Sequence, residues 1–531
     1  MKAAETSLRC GHAALDALYP RIKNFMLQDI TEYNMLGTPI RGYRTPDTPS
    51  IWLRDYSDMM RGFKYWEADL QSVVTHLAEM QSSRGWLFDY FTMTPEKIPC
   101  EKENWAKYVR VPVEADVEYR FIKAIYQAWQ ATGDREWLAE MFPHMEKALR
   151  YVLTDPWRWD KKSGLVKRAF TMDTWDFDYT AGAHPWLNFQ VNDRTFWGIM
   201  HGDNSGYYEA FQQMSRLAAA LGKRKQAAEW QKFALRFRTR ANKVCFNGRF
   251  YTHHVHLVPV SIPRLDESRQ LSLSNPIDIN RGLATHEMAV SILEEYQERA
   301  RTTGAFAPWF TIDPPFPDGM FGDEKLVGGA YCNGGIMPLV GGDLARAAFE
   351  HGFEEFGLRQ LLIYEELTRN NESYLWYFPD GRRSTVETST SPDASSTDGW
   401  GSSAMLYALM EGLAGIVDEA LLFQHVRLSP RWPAADCSHV DVCTAYGPSG
   451  VSFRYQYAHD AARREIVVDI RGGRHVDLHL LLPAGTRCSH LEVAGKKVAY
   501  RNTTVRNSNY VDARFGVRAG TTVRIQYVHP K

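Results

Sequence analysis

The apolar pattern of the chain changes period once, near residue 420, and that change limits the folds open to it. Before it, apolar positions recur at helical spacing. After it they alternate. Val451-Ser452-Phe453-Arg454-Tyr455-Gln456-Tyr457 and Ile466-Val467-Val468-Asp469-Ile470 put every second side chain on one face, as a half-buried strand requires. Val440-Asp441-Val442 and the stretches 476–482 and 523–527 continue the alternation between Gly and Asn turns. The expectation is a mostly α body over residues 1–420 and a C-terminal antiparallel β-sandwich over 421–531. No low-complexity linker separates the two, so they are expected to dock rigidly.

Within the first part, helices come in pairs. An opening helix is predicted over 8–26, followed by a loop carrying Pro39, Pro46 and Pro49. Met59, Met60, Phe63, Trp66, Leu70, Val73, Val74, Leu77 and Met80 predict one long amphipathic helix over 59–80, with Arg54 and Asp55 in the loop at its N-terminal end. Helices over 113–131 and 137–153 are joined by Thr132-Gly133-Asp134, a stop followed by a new N-cap. Further helices are predicted over 193–221, 223–244, 285–301, 334–351 and 354–369, and one after Asp398-Gly399-Trp400-Gly401. No sequence period relates these hairpins, which argues against a solenoid. About ten to twelve helices in hairpins with no fixed period suit a closed toroid.

Bulk properties exclude several roles. At 531 residues the chain exceeds what one core usually organises. A formal net charge of −1 leaves no basic excess for nucleic acid or an anionic membrane. The start shows no signal-peptide pattern, and no segment approaches a membrane span. The seven cysteines (Cys10, Cys100, Cys245, Cys332, Cys437, Cys443 and Cys488) are scattered, with no C-x-x-C. That usage fits reduced thiols and a cytoplasmic location. No pattern fixes an oligomeric state.

The candidate chemistry lies in two loops. Phe170-Thr171-Met172-Asp173-Thr174-Trp175-Asp176-Phe177-Asp178-Tyr179 interleaves Asp173, Asp176 and Asp178 with aromatic rings. A core strand cannot bury three unpaired carboxylates cheaply, and a surface turn has no use for so many rings. A cleft that grips sugar faces and supplies acids uses both. The second loop runs from Glu372-Ser373-Tyr374-Leu375-Trp376 through Glu387-Thr388-Ser389-Thr390 to Asp398-Gly399-Trp400-Gly401. Glycosidic hydrolysis with inversion needs an acid and a base on opposite walls, about 6.5–9.5 Å apart.

Helical hairpins before a β-sandwich, a Trp175-Asp176 pair mid-chain and a late Glu387 before Gly399-Trp400 resemble the six-hairpin, (α/α)6-barrel glycoside hydrolases. Glycoside hydrolase family 63 looks nearest around the two loops, with glucoamylase- and rhamnosidase-like features elsewhere. Trp52-Leu53-Arg54-Asp55 is similar to the Trp-x-Arg-Asp of glucoamylases, where the pair grips hydroxyls of the terminal sugar. The resemblance implies an inverting, exo-acting hydrolase of the α-glucoside or rhamnoside class, with Asp176 as acid and Glu387 as base. The segment departs from the family's Trp-Asp-Asn-Ser, so Asp173 and Asp178 stay eligible as acid; strand-like alternation would put Asp178 on the side of Asp176. Glu372, with Tyr374 just after it, is a rival base. Trp52, Arg54, Asp55, Trp175, Asn333, Trp376 and Trp400 are the expected substrate contacts.

Plainer readings stand beside these. Asp side chains in a turn bond backbone amides, and an acidic helix N-terminus explains Glu114, Asp116 and Glu118 as well as a cleft does. His253-His254-Val255-His256 lacks a carboxylate or Cys at ligand spacing and reads as an exposed loop, so no metal and no cofactor are expected. Two other functions remain open: a glycoside phosphorylase, for which Arg382-Arg383 would supply cations, and a carbohydrate-binding protein without catalysis.

Overall fold

The computed structural model describes residues 4–94, 107–179, 189–518 and 520–529. Cys100 lies outside them. The described residues include twelve α-helices. In chain order these are α1 (Ala13–Gln28), α2 (Leu53–Phe63), α3 (Ser72–Glu79), α4 (Val117–Thr132), α5 (Arg135–Thr154) and α6 (His201–Ala220). They continue with α7 (Arg224–Cys245), α8 (Ser274–Asn280), α9 (His286–Thr302), α10 (Pro338–Glu350), α11 (Glu354–Leu367) and α12 (Gly399–Tyr407). None is long and apolar enough to cross a membrane.

The helices sort into two sets by burial. Along α4, apolar and polar residues alike are buried, from Glu118 and Arg120 to Ala131. Along α7 a single stripe is buried, Ala227, Ala234, Phe237, Ala241 and Cys245. A helix buried all round lies inside, and one with a single apolar stripe lies outside. The contacts agree. The even-numbered helices α2, α4, α6, α8, α10 and α12 each touch the next, and α12 touches α2, so the series closes. Outer helices back them: α5 on α4, α7 on α6, α9 on α8, α11 on α10 and α1 on α12.

Local chemistry sets the hairpin turns. Gly133 ends α4 at φ 71°, a left-handed conformation that favours glycine. Asp134 then accepts the Trp137 amide at 3.0 Å and starts α5. The turn predicted at Thr132-Gly133-Asp134 is therefore present.

Several expectations are corrected. The helix expected over 59–80 is two, because the Asp69 carboxylate accepts the amides of Gln71 and Ser72 at 3.0 and 2.9 Å and starts α3. Arg54 and Asp55 stand in the first turn of α2, not in a loop before it. The segment after α1 is a hairpin of Ile30–Met35 with Thr38–Tyr43, turning through Leu36 and Gly37, both at positive φ. The helix expected from 334 begins at Pro338. His253 and His254 are buried rather than exposed, and the Nε2 of His253 accepts the Asp173 amide at 2.8 Å.

Two sheets make up the β part. One has seven strands in the order Ser7–Arg9, His439–Ala445, Ser452–Asp460, Glu465–Arg471, Thr521–Val528, Arg487–Val493 and Lys496–Lys497. The other has five: Ile416–Asp418, His425–Leu428, His475–Leu481, Ser508–Gly516 and Tyr500–Val505. All pairings in these two sheets are antiparallel except His425–Leu428 with His475–Leu481. Phe453, Tyr455 and Val523 from the first sheet join Val476, Leu478 and Val511 from the second in one apolar core. The strand Ser7–Arg9 pairs with Asp441–Cys443 across almost the whole chain.

Candidate active site

A cavity of about 90 Å³ opens at the N-terminal ends of α2 and α12. Three elements bring carboxylates to it: the loop before α2 supplies Asp47, the first turn of α2 supplies Asp55, and the segment before α6 supplies Asp176. Trp52, Trp175, Tyr331 and Trp400 give it aromatic walls, and Thr390 and Ser391 add hydroxyls.

Each wall is fixed from behind. Trp52 stacks on Tyr90 at 3.9 Å, and its Nε1 donates to the Thr48 hydroxyl at 3.0 Å. The Nε1 of Trp400 donates to Asp58 at 3.0 Å. Trp175 meets Tyr331 edge-on at 5.0 Å. The fully buried Arg168 donates to the Trp175 carbonyl and, at 3.1 Å, to both oxygens of Asp203, which anchors the backbone just before Asp176. Asp398 caps α12 by accepting the amides of Trp400 and Gly401 at 3.1 and 3.0 Å.

Charge in the cavity is one-sided. Arg54 is the cation in its lining among the described residues, and it is occupied: its guanidinium bonds Glu114 at 2.6 Å and Asp116 at 2.9 Å. Burial opposes ionisation of Asp116, but Arg54 and Arg120 outweigh it and hold the carboxyl at about 2. Burial pushes Asp55 up to about 7, against the pull of Arg54. It raises Asp176 as well, again opposed by Arg54. Asp47 is lifted well above the usual carboxylate range by burial and then by Asp398 and Asp393. Asp47 is 1% exposed, and neither of its carboxylate oxygens has a hydrogen-bond partner among the described residues. One oxygen of Asp55 is also without one. Buried polar atoms without partners are rare and point to a missing ligand or a bound proton.

No family model and no curated protein matches the chain by sequence. Solved structures do. An alpha-L-rhamnosidase from Dictyoglumus thermophilum aligns with 99% of this chain at TM-score 0.61 and 12% identity. A GH78 rhamnosidase from a Bacillus species aligns with 90% at TM-score 0.58 and 17% identity. The chain spans 50% and 43% of those two proteins. A GH63 mannosylglycerate hydrolase from Thermus thermophilus aligns over 99% of its own length and 74% of this chain, at TM-score 0.52 and 14% identity. The fold is that of the six-hairpin glycosidases.

On this six-hairpin fold the residues predicted from sequence separate. Trp52, Arg54, Asp55, Trp175, Asp176 and Trp400 line the cavity. Asp173 does not: it sits at φ 46° and its carboxylate accepts from the Ser274 hydroxyl and amide. Burial opposes its ionisation, but His201 and the hydroxyls of Ser272 and Ser274 outweigh it, which marks a structural anion. The left-handed turn at Asp173 breaks the expected alternation, and Asp178 is buried away from the lining, its backbone bridged to Thr171.

Glu387 lies exposed on its loop, outside the lining, and its carboxyl is held low by its own amide and the Thr385 hydroxyl. Glu372 is half-buried and accepts from the Asn370 side chain at 2.9 Å, also outside the lining. Asn333 is fully used by the backbone, accepting the Phe316 amide at 2.7 Å and donating to the carbonyls of Phe316 and Leu326. Trp376 is buried behind Tyr331, 6.1 Å away. Asp47, Thr390, Ser391 and Arg168 carry no signal of their own in the sequence. Asp47 lies in Thr45-Pro46-Asp47-Thr48-Pro49, which reads as an ordinary turn.

Proposed function

We propose that the protein is an inverting, exo-acting glycoside hydrolase built on an (α/α)6 toroid, with the closed series of even-numbered helices as its inner ring. Residues 1–420 form the catalytic unit and 421–531 the β-sandwich, to which Ser7–Arg9 and Ile416–Asp418 also contribute. One observation carries this reading: Asp176 and Asp55 reach the same small, aromatic-walled cavity from different elements, and Arg54 acts on both.

In this mechanism Asp176 protonates the leaving glycosidic oxygen, its carboxyl raised by burial beside Trp175 and Phe177. Asp55 takes a proton from the water that attacks the anomeric carbon from the opposite face. Asp47, Thr390 and Ser391 bind hydroxyls of the terminal sugar, whose ring faces lie on Trp52, Trp175 and Trp400. A cavity of about 90 Å³ suits one terminal residue better than a run of sugars. Its acidic lining favours a neutral sugar, with α-glucosides and α-rhamnosides the first to try. A phosphorylase needs free cations for phosphate, whereas Arg54 is already paired and Arg382 is exposed and pairs with Asp380 at 2.7 Å.

The test is a panel of aryl glycosides followed by NMR of the first product. Inverted configuration is expected; retention would sink the two-carboxylate assignment. Asp55→Asn and Glu387→Gln compared side by side decide the base. If Glu387→Gln abolishes turnover while Asp55→Asn does not, the base lies on the α11–α12 loop instead. Turnover that requires inorganic phosphate would favour phosphorolysis, and sugar binding with no turnover of any member would favour a binding protein.

A further inference from the structure

The inner helices have a second cavity at their other ends. On α2, Arg54 lines the acidic cavity and Arg61 lines this one; on α12 the corresponding pair is Trp400 and Tyr407. Seven residues of helix separate the members of each pair, about 10 Å along the axis. The basal cavity has a volume of about 290 Å³. Each of the six inner helices contributes to it, through Arg61, Lys123, Gln213, Asn280, Arg346 and Tyr407, and the strand Ile416–Asp418 helps close it.

Every charged side chain in its lining but two, Arg346 and Asp418, stands in an ion pair among the described residues. Arg61 bonds both oxygens of Asp343 at 3.0 and 3.1 Å, Lys64 bonds Glu411 at 2.9 Å, and Lys123 bonds Asp58. Glu209 faces Arg281 at 3.7 Å and Glu419 faces Arg216 at 3.9 Å. Asp418 accepts the amides of Ala420 and Phe423, and Arg427 bonds Glu350 at 2.8 Å. Arg346 forms no ion pair among the described residues; its one hydrogen bond is a 3.5 Å contact with Asn280 Oδ1. It is 9% exposed and lies 5.2 Å from the centre of the Tyr407 ring, which Arg61 also approaches at 5.1 Å.

Unused donors gather at the same place. The Nε of Arg346, the Nη2 of Arg61 and the Nε of Arg281 are buried without a hydrogen-bond partner among the described residues. Cations at helix C-terminal ends offset the carbonyl dipoles, and that accounts for part of the charge. It gives the Nε of Arg346 and the Nη2 of Arg61 no acceptor, and the Nε of Arg281 only the Glu209 carboxylate at 3.7 Å, beyond hydrogen-bond reach. A guanidinium fork desolvated beside a polar cavity is suited to the oxygens of a phosphate or carboxylate.

We propose that this basal cavity binds a small oxyanion on Arg346, with Arg61 and Arg281 as flanking donors. The site is separate from the proposed catalytic cavity and takes no part in the reaction there. It stands whether or not the chain is a hydrolase.

The experiment is isothermal titration calorimetry of the full chain at fixed ionic strength, with inorganic phosphate and citrate as probes and chloride as the balancing salt. Saturable binding of one probe or both is expected, and which of them binds identifies a phosphate-type or a carboxylate-type ligand. Arg346→Gln should weaken it at least tenfold, while Asp176→Asn, in the other cavity, should leave it unchanged. No saturable heat with either probe means that water alone fills the cavity and overturns the proposal. Equal loss in both variants, or none in Arg346→Gln, overturns it too. Should Arg346→Gln fail to fold by circular dichroism, tungstate soaked into crystals of the unaltered protein decides by anomalous scattering. A peak beside Arg346 supports the site, and its absence there refutes it.

Discussion

Replacing Asp55 by Asn should make the protein more stable and much less active. The Asp55 carboxyl is lifted from its ordinary value of 3.8 to about 7 by burial. A carboxyl raised in the folded state keeps its proton to higher pH than in the unfolded chain. Its favourable contribution is therefore complete below about 4 and is lost as pH rises toward 7. At about 1.4 kcal/mol per pH unit, holding Asp55 ionised above pH 7 costs about 4 kcal/mol. Asn at this position removes that cost, in which the attraction of Arg54 is already counted, so the expected gain at pH 8 is up to about 4 kcal/mol. Near pH 4 the two proteins should be nearly equal. Differential scanning calorimetry of both near pH 4 and pH 8, with initial rates on whichever glycoside proves active, measures both effects. The rate should fall by about 10²–10⁴. A variant destabilised at pH 8, or one that keeps its activity, would refute the placement of Asp55 as a buried, functionally strained carboxylate.

Other outcomes follow from the same geometry. Arg54→Met leaves Glu114 buried without its cation and Asp116 with Arg120 alone, at 3.4 Å, so unfolding should become easier by about 3–5 kcal/mol in urea titrations. In that variant the acid limb of the pH–rate profile should move to higher pH, because Arg54 holds down both Asp55 and Asp176. Asn333→Ala removes three bonds between the loops at Phe316 and Leu326. Stability should drop by about 1–3 kcal/mol with KM unchanged, whereas a direct sugar contact would raise KM. Asp134→Ala removes the N-cap of α5 and should cost about 1 kcal/mol in thermal unfolding, with no kinetic effect.

The helical hairpins are legible in the sequence because periodicity and caps are local signals. Gly133 and Asp134 mark a turn within three residues of sequence, and they mark it correctly. The seven residues of α8 are not legible, since they span two turns and carry Pro276, yet α8 completes the inner series between α6 and α10. The strand Ser7–Arg9 reads as the start of a helix because its partner lies more than 400 residues away. At the site, acids beside rings and short motifs point to Trp52, Arg54, Asp55, Trp175, Asp176 and Trp400. Such motifs carry residue type but not burial. Glu387 has the right chemistry and lies in solvent, whereas Asp47 looks like a turn residue and is buried with its oxygens unpartnered among the described residues. Burial is a product of the whole packing, so no short window of letters reports it.

The pairing of Ser7–Arg9 with Asp441–Cys443 also sets an order of events. A ribosome makes the first strand long before its partner exists, and α1 likewise waits for α11 and α12. The strand Ser7–Arg9 thus remains unpaired until residues 439–445 have been synthesised. Contacts this distant in sequence are slow to form, and they leave a strand edge available to other chains meanwhile. Tying residues 7–9 to residues 441–443 holds the finished fold together, and it makes the nascent one dependent on what shields that strand during synthesis.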